Sequence, residues 1–150
     1  MQLTTTLGEK VVSKTSAETL GTVDGVVVDV SDRRLKAVRL GKGRKAKLIS
    51  WDALSGVGSA AVIVEGDDAL RDPAEPEQRQ ASGDVAVIGA LVLSDAGNAQ
   101  GTVVDVEFEA DTGALVAIHT THGPHVSAER LLAVGPYAWI VAEPEATAAT

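Results

Sequence analysis

Short stretches of alternating apolar and polar residues, separated by turns, run through most of the chain. Residues 103–111, VVDVEFEAD, alternate acids with apolar residues. Four carboxylates therefore share one predicted strand face: Asp105, Glu107, Glu109 and Asp111. Turn residues at 111–113 precede a second apolar stretch at 115–118, which predicts a β-hairpin. SWDAL and SAERL are long enough for only one helical turn. The pattern predicts an all-β protein.

The chain contains this pattern twice. In the first part VVSKTSAETLGTVDGVVVDV leads to LISWDAL and VGSAAVIV, and in the second part LVLSDAGNAQGTVVDVEFEA leads to HVSAERL and VGPYAWIV. Gly21 and Leu35 lie eighty residues before Gly101 and Leu115. Matches at a fixed offset predict two small domains of one fold, residues 3–66 and 85–142. We expect residues 67–84 to be an acidic, proline-containing linker and residues 143–150 to be a disordered tail.

Composition narrows the class of protein. Of 150 residues, 45% are apolar and only 3% are aromatic, which suits compact β-domains with a Val-rich core. The lack of cysteine excludes disulfides and thiolate metal ligands. Because the chain shows neither a leader pattern nor a long apolar run, we expect a cytoplasmic protein without a membrane span.

The net charge of −8 is unevenly distributed. Residues 1–64 carry ten basic and six acidic residues, whereas residues 85–141 carry one basic and six acidic residues. The total charge disfavours a nucleic-acid coat or a polybasic membrane protein. That exclusion does not extend to the first half, which is positively charged.

Several segments resemble the PRC-barrel domain family. They are GTVD at 21–24 with GTVV at 101–104, the hairpins that close at Leu35 and Leu115, LISWDAL at 48–54, and the closing strands at 61–64 and 138–141. The second copy has Ala128 where the first has Trp51. The family is a small β-barrel module, similar to the barrel of the photosynthetic reaction centre H subunit and to the C-terminal domain of the ribosome maturation factor. The resemblance implies two tandem PRC-type β-barrels, which can pack as a pseudo-dimer. It also implies a non-enzymatic adaptor that holds partners in place.

The basic hairpin of the first copy is one candidate contact surface. Eight of the thirteen basic residues fall between positions 33 and 47. Five of them are candidate partner-binding residues: Arg39, Lys42, Arg44, Lys45 and Lys47. Such a loop can reach an acidic protein or phosphates, and a solvated loop without a partner is the alternative. Since few aromatic residues accompany these cations, we favour a protein partner over RNA.

The acidic stripe Asp105, Glu107, Glu109 and Asp111 is the second candidate surface. It could face the basic loop of another molecule and so support self-association, and a polar outer strand face is the alternative. We therefore predict an adaptor or scaffold protein. An RNA-associated assembly factor acting through the basic loop is a further alternative.

All three histidines fall in the segment HTTHGPH, as His119, His122 and His125. Imidazoles bind Zn²⁺, Ni²⁺ or Cu²⁺, and the Gly-Pro turn can bring His119 and His125 opposite each other. An ordinary polar turn is the simpler interpretation, so no cofactor is expected. The alternative is a metal- or pH-responsive sensor built on these histidines.

The sequence does not contain the enzyme motifs that its glycines and serines could suggest. GVGSAA at 56–61 precedes a predicted strand, where a dinucleotide-binding loop requires a helix, and no GxSxG elbow frames a serine. We predict no catalytic residues and no enzymatic activity. Trp51, Tyr137 and Trp139 are predicted as core anchors.

Overall fold

A computed structural model describes residues 1–41, 45–82, 85–122 and 125–143. Within these ranges the fold is all-β, as predicted, and its two helices have four residues each. The helices are α1 (Leu3–Thr6) and α2 (Gln78–Ala81). The strands of the first half are β1 (Lys10–Ser13), β2 (Thr19–Thr22), β3 (Gly25–Asp29), β4 (Arg34–Leu40), β5 (Lys47–Ser50), β6 (Leu54–Val57) and β7 (Ala61–Val64). Those of the second half are β8 (Leu91–Ser94), β9 (Ala99–Phe108), β10 (Leu115–Thr120), β11 (Val126–Ser127), β12 (Leu131–Val134) and β13 (Trp139–Val141).

The two halves share one strand order. The second half forms a six-stranded sheet in the order β11-β10-β9-β8-β13-β12. The first half repeats this order in two sheets, β5-β4-β3 and β2-β1-β7-β6, because the counterpart of the long β9 is divided into β2 and β3. Each half joins its first and last strands in parallel, β1 with β7 and β8 with β13. The repeat predicted from the sequence is therefore also a repeat of topology.

Turn hydrogen bonds repeat in the same way. The amide of Gly8 donates to the carbonyl of Val23 at 2.8 Å, and the amide of Gly89 donates to the carbonyl of Val103 at 2.7 Å. Both glycines have positive φ, at 87° and 88°. Their left-handed backbone is readily available to glycine and lets each turn close on its strand.

The β3–β4 and β9–β10 hairpins meet tip to tip. Leu35 donates its amide to the carbonyl of Gly113 at 2.7 Å, and Leu115 donates its amide to the carbonyl of Arg33 at 2.8 Å. Arg33 and Gly113 both have positive φ, 49° and 78°. The first hairpin thus forms the left-handed turn without a glycine, because Arg33 itself adopts that conformation.

One apolar core extends through both halves. It includes Trp51, which is 2% exposed, and Phe108, which is 1% exposed. Their rings meet edge to face with centroids 5.3 Å apart, and the indole of Trp51 donates to the carbonyl of Ala110 at 3.0 Å. Trp139 is fully buried, as predicted. The prediction for Tyr137 is wrong: it is 80% exposed because it lies in the turn between β12 and β13.

The segment predicted as a linker packs against the first half. Arg71 exchanges two backbone hydrogen bonds with Leu48 on β5, each 2.8 Å long, and α2 lies beside β3. Gly83 and Asp84 of the predicted linker lie outside the described residues. The same is true of residues 144–150 of the predicted tail. Among the described residues, no helix is long and apolar enough to cross a membrane.

Candidate functional site

The outer face of the β3-β4-β5 sheet is covered by the connecting segment. Val27, Ala37 and Leu48, which are at most 2% exposed, form an apolar cluster with Ala46 and with Ala81 of α2. This cluster is separate from the main core. We call this surface the first outer face. Its apolar side chains explain why residues 71–81 fold back on the sheet, since burial removes them from water.

An ion pair between a buried carboxylate and a partly exposed guanidinium fixes the connecting segment. Glu77 is 2% exposed and accepts two hydrogen bonds from the guanidinium of Arg71, at 2.6 and 2.8 Å. Its carboxylate also accepts the amide of Ala74 at 2.8 Å and lies 3.6 Å from the ammonium of Lys36. The hydrogen bonds from Arg71 are the largest cause that lowers the pKa of Glu77 to about 2. Arg71 also donates to the hydroxyl of Ser50 at 2.8 Å, so the pair bridges the segment and β5.

The free edge of β3 is capped by a side-chain amide. Gln80 accepts the amide of Val28 at 2.8 Å and donates to the carbonyl of Val28 at 3.1 Å. Arg39 donates to the backbone carbonyls of Gln80 and Asp24, at 3.2 and 2.8 Å. Burial lowers the pKa of Arg39, and Asp24 opposes that change. In the second half the matching edge residue, Phe108, donates its amide to the carbonyl of Met1 at 2.8 Å.

The corresponding face of the β9-β10-β11 sheet has different chemistry. Cross-strand register pairs Val27 with Ala37 in the first half and Glu107 with Ala117 in the second. The repeat likewise places His125 at the position of Leu48. A carboxylate and an imidazole thus replace two buried apolar side chains. We call this surface, which comprises Asp105, Glu107, Ala117, His119 and His125, the second outer face.

The polar groups of the second outer face are close together. The Nε2 atom of His119 lies 3.4 Å from Oε1 of Glu107. The rings of His119 and His125 have centroids 5.1 Å apart and are tilted by 35°. The side chains of Glu107 and His119 are 42% and 31% exposed, and His125 is exposed. Glu107, His119 and His125 are therefore accessible to solvent on this face, whereas Ala117 is buried, as are the apolar residues of the first outer face.

The acidic stripe divides into engaged and exposed members. Asp105 accepts the amide and the hydroxyl of Thr4 at 3.0 and 2.8 Å, so it holds α1 against β9. Glu109 and Asp111 are exposed, and no ion pair involves them among the described residues. Glu109 and Asp111 consequently remain available to a partner, and Glu107, which faces His119, is partly exposed.

The residues of the predicted basic loop are not brought together as one described surface. Arg39 is engaged inside the chain, as shown above, and Lys47 forms an ion pair with Asp72. Lys45 is exposed. Lys42 and Arg44 lie outside the described residues. Among the described residues of this loop, Arg39 and Lys47 are therefore already engaged by other parts of the chain, and Lys45 is exposed to solvent.

The three predicted histidines separate into a pair and a single residue. His119 and His125 are in contact, whereas the ring of His122 lies 3.3 Å from the hydroxyl of Thr121. Within the described residues, no three His, Asp or Glu side chains already converge as a metal site. The predicted role of the three histidines in metal binding stays a prediction.

The sequence did not indicate the ion pair between Arg71 and Glu77. Both residues lie in a polar, proline-containing stretch, where charges are usually solvated, so their types alone did not predict burial. The contrast between the two outer faces could have been found from the sequence. Aligning the repeats places Val27 on Glu107 and Leu48 on His125, which marks the positions where the copies differ in chemistry.

Comparison with known proteins supports the predicted family resemblance for part of the chain. Residues 1–71 match the family model of the PRC-barrel domain. The resemblance is therefore confirmed for these residues. None of the curated proteins compared with the chain matches it.

Proposed function

We propose that this chain is a non-enzymatic adaptor that binds another protein, with the second outer face and the exposed acids Glu109 and Asp111 as its contact surface. We further propose that the second half is also a PRC-type barrel, since it repeats the strand order of the first. A cytoplasmic location suits a chain that has no cysteine to oxidise.

One observation carries this proposal. The first outer face holds a segment of the chain itself, anchored by Ala81 and by the ion pair of Arg71 with the buried Glu77. The same surface of the same topology is open in the second half, where Glu107 and His119 are partly exposed. Because the first outer face binds a segment of polypeptide, we expect the equivalent second outer face to bind a segment of another protein.

The charge of the surface indicates the chemistry of the partner. Residues 85–141 carry six acids and one basic residue, so a segment rich in Lys or Arg is favoured. Exposed ion pairs contribute about 0–1 kcal/mol each. They therefore affect the orientation and the rate of binding more than its affinity. Apolar contact is offered on the same two strands by Val104 and Val116, which are 44% and 39% exposed.

The hairpin contacts support a second organisational proposal. Leu35 and Leu115 make reciprocal hydrogen bonds across the two halves. Reciprocal contacts between equivalent residues are the property of an isologous, two-fold interface. We infer that the two halves pack as a pseudo-dimer. In this arrangement the first outer face is covered by the connecting segment, and the second outer face binds a partner.

A capture experiment with charge-reversal variants tests the adaptor function. The full chain is immobilised on a support and incubated with cell lysate. Three forms are compared: the wild type, the double variant Glu107→Lys with Glu109→Lys, and the control double variant Glu18→Lys with Glu129→Lys. The control changes the net charge equally at exposed positions outside the face. We expect the face variant to lose the proteins that the wild type and the control capture.

Two results would contradict the proposal. Retention of the same proteins by the face variant would exclude the second outer face as the contact. Loss of all captured proteins after nuclease treatment would favour the RNA-associated alternative, whose binding should also fall steeply with salt.

A further inference from the structure

The second outer face contains a group of side chains that the proposed adaptor function does not require. Glu107 lies on β9, His119 on the neighbouring β10, and His125 immediately before β11, the next strand in the sheet. Pairing of Ala117 with Ser127 and of Ile118 with Val126 brings His119 beside His125. The sheet register, rather than a flexible loop, therefore sets their spacing.

The separations within the two neighbouring pairs match those between two ligands of one metal ion. Two ligand atoms that each lie about 2.0–2.1 Å from a tetrahedral Zn²⁺ are about 3.3–3.4 Å apart. The Nε2 atom of His119 and Oε1 of Glu107 are 3.4 Å apart, which is long for a hydrogen bond. Two imidazoles on one such ion have ring centroids about 5 Å apart, and those of His119 and His125 are 5.1 Å apart.

The chemistry of the ligands narrows the choice of ion. Imidazole and carboxylate together suit Zn²⁺ and Ni²⁺, whereas Mg²⁺ and Ca²⁺ prefer oxygen ligands alone. In the first half the matching residues are Val27, Arg39 and Leu48, none of which binds a cation. Any such site therefore belongs to the second half only.

We propose that Glu107, His119 and His125 bind one divalent transition-metal ion, with Zn²⁺ as the probe ion and water completing its coordination. The described side chains do not yet converge on one point. Binding requires rotation of the exposed His125 ring, a motion that surface side chains make in picoseconds to nanoseconds. His122, which lies against Thr121, takes no part.

Calorimetric titration of the full chain with Zn²⁺ tests this site. The variants are His119→Ala, His125→Ala and Glu107→Gln, and His122→Ala is the matched control from the same segment. We expect one Zn²⁺ per chain with micromolar affinity for the wild type and for His122→Ala. Loss of a direct ligand should weaken binding at least about tenfold, because even residues that only support a ligand contribute 10–100-fold.

A second measurement separates metal binding from folding. Thermal unfolding without metal should be similar for all four variants, since each replaced side chain is at least partly exposed. Added Zn²⁺ should raise the Tm of the wild type and of His122→Ala only. The proposal is overturned if the wild type binds no Zn²⁺ or if His119→Ala and His125→Ala bind it normally. It is also overturned if His122→Ala loses as much affinity as they do.

Discussion

The amides of Leu35 and Leu115 donate reciprocal hydrogen bonds across the two halves, one to Gly113 and the other to Arg33. Each donor and each acceptor in this pair lies eighty residues from its counterpart. The hairpin tips thus meet as equivalent surfaces within one chain. Trp51 also contacts the second hairpin, where it packs on Phe108 and donates to the carbonyl of Ala110.

Gly113→Ala should destabilise the protein more than the same change at Gly97. Both glycines have positive φ, 78° and 88°, so both substitutions incur about 1 kcal/mol of backbone strain. A Cβ at Gly113 would also lie 2.7 Å from the carbonyl oxygen of Leu35 and 3.1 Å from the Trp51 ring, whereas nothing lies within 4 Å at Gly97. We expect an additional loss of roughly 1–3 kcal/mol for Gly113→Ala, measured by urea unfolding. Equal losses would contradict a close contact between the hairpins.

Trp51→Phe should remove a specific link between the halves. The indole N–H of Trp51 donates to the carbonyl of Ala110, and phenylalanine leaves that carbonyl without its donor. We expect a loss of about 1–3 kcal/mol in the free energy of unfolding. Tyr137→Phe is the control, because that ring is 80% exposed and its change should have little effect. A similar stability for both variants would show that the indole contact contributes nothing.

Glu77→Gln should destabilise the chain at neutral pH and reduce its sensitivity to acid. The folded pKa of Glu77 is about 2, below its ordinary value of 4.5. Between these values the unfolded chain binds the proton more readily, so the stability due to Glu77 is present above pH 4.5 and is lost as the pH falls towards 2. The contribution is on the order of 2–3 kcal/mol.

The matched control for this prediction is Glu75→Gln. Glu75 lies in the same 3₁₀ turn as Glu77 and is exposed. Chemical unfolding at pH 7 and at a series of lower pH values should show a reduced acid response only for Glu77→Gln. An unchanged acid response in that variant would mean that the carboxylate of Glu77 is not held by Arg71 as described.

Exchanging equivalent residues between the two outer faces should have unequal effects. Val27→Glu buries a charge where the side chain is 2% exposed, so we expect a loss of several kcal/mol and release of the connecting segment. Glu107→Val should change the free energy of unfolding by less than about 1 kcal/mol, because Glu107 is 42% exposed. Unfolding curves and proteolysis between residues 71 and 82 measure the two effects. Equal tolerance at both positions would contradict the contrast between the faces.

Local patterns predicted the strands and hairpins well because alternation and turn residues act over a few positions. The repeat even identified equivalent positions such as Leu35 and Leu115. Contacts between distant segments could not be obtained in this way. The burial of Glu77 depends on Arg71 and on the sheet beneath it. The turn in HTTHGPH did indicate that His119 and His125 face each other, but not that Glu107 lies beside His119. Tyr137 was misassigned because composition does not show whether an aromatic residue lies in a strand or at a turn.

Crosslinking and mass spectrometry of the wild-type chain with its captured protein shows whether the second outer face is where the partner binds. We expect crosslinks from the partner to concentrate on residues 105–127, around Glu107, His119 and His125. We expect few crosslinks to the first outer face, which the connecting segment covers. Crosslinks that concentrate on residues 27–48, with the second outer face left free, would contradict this expectation.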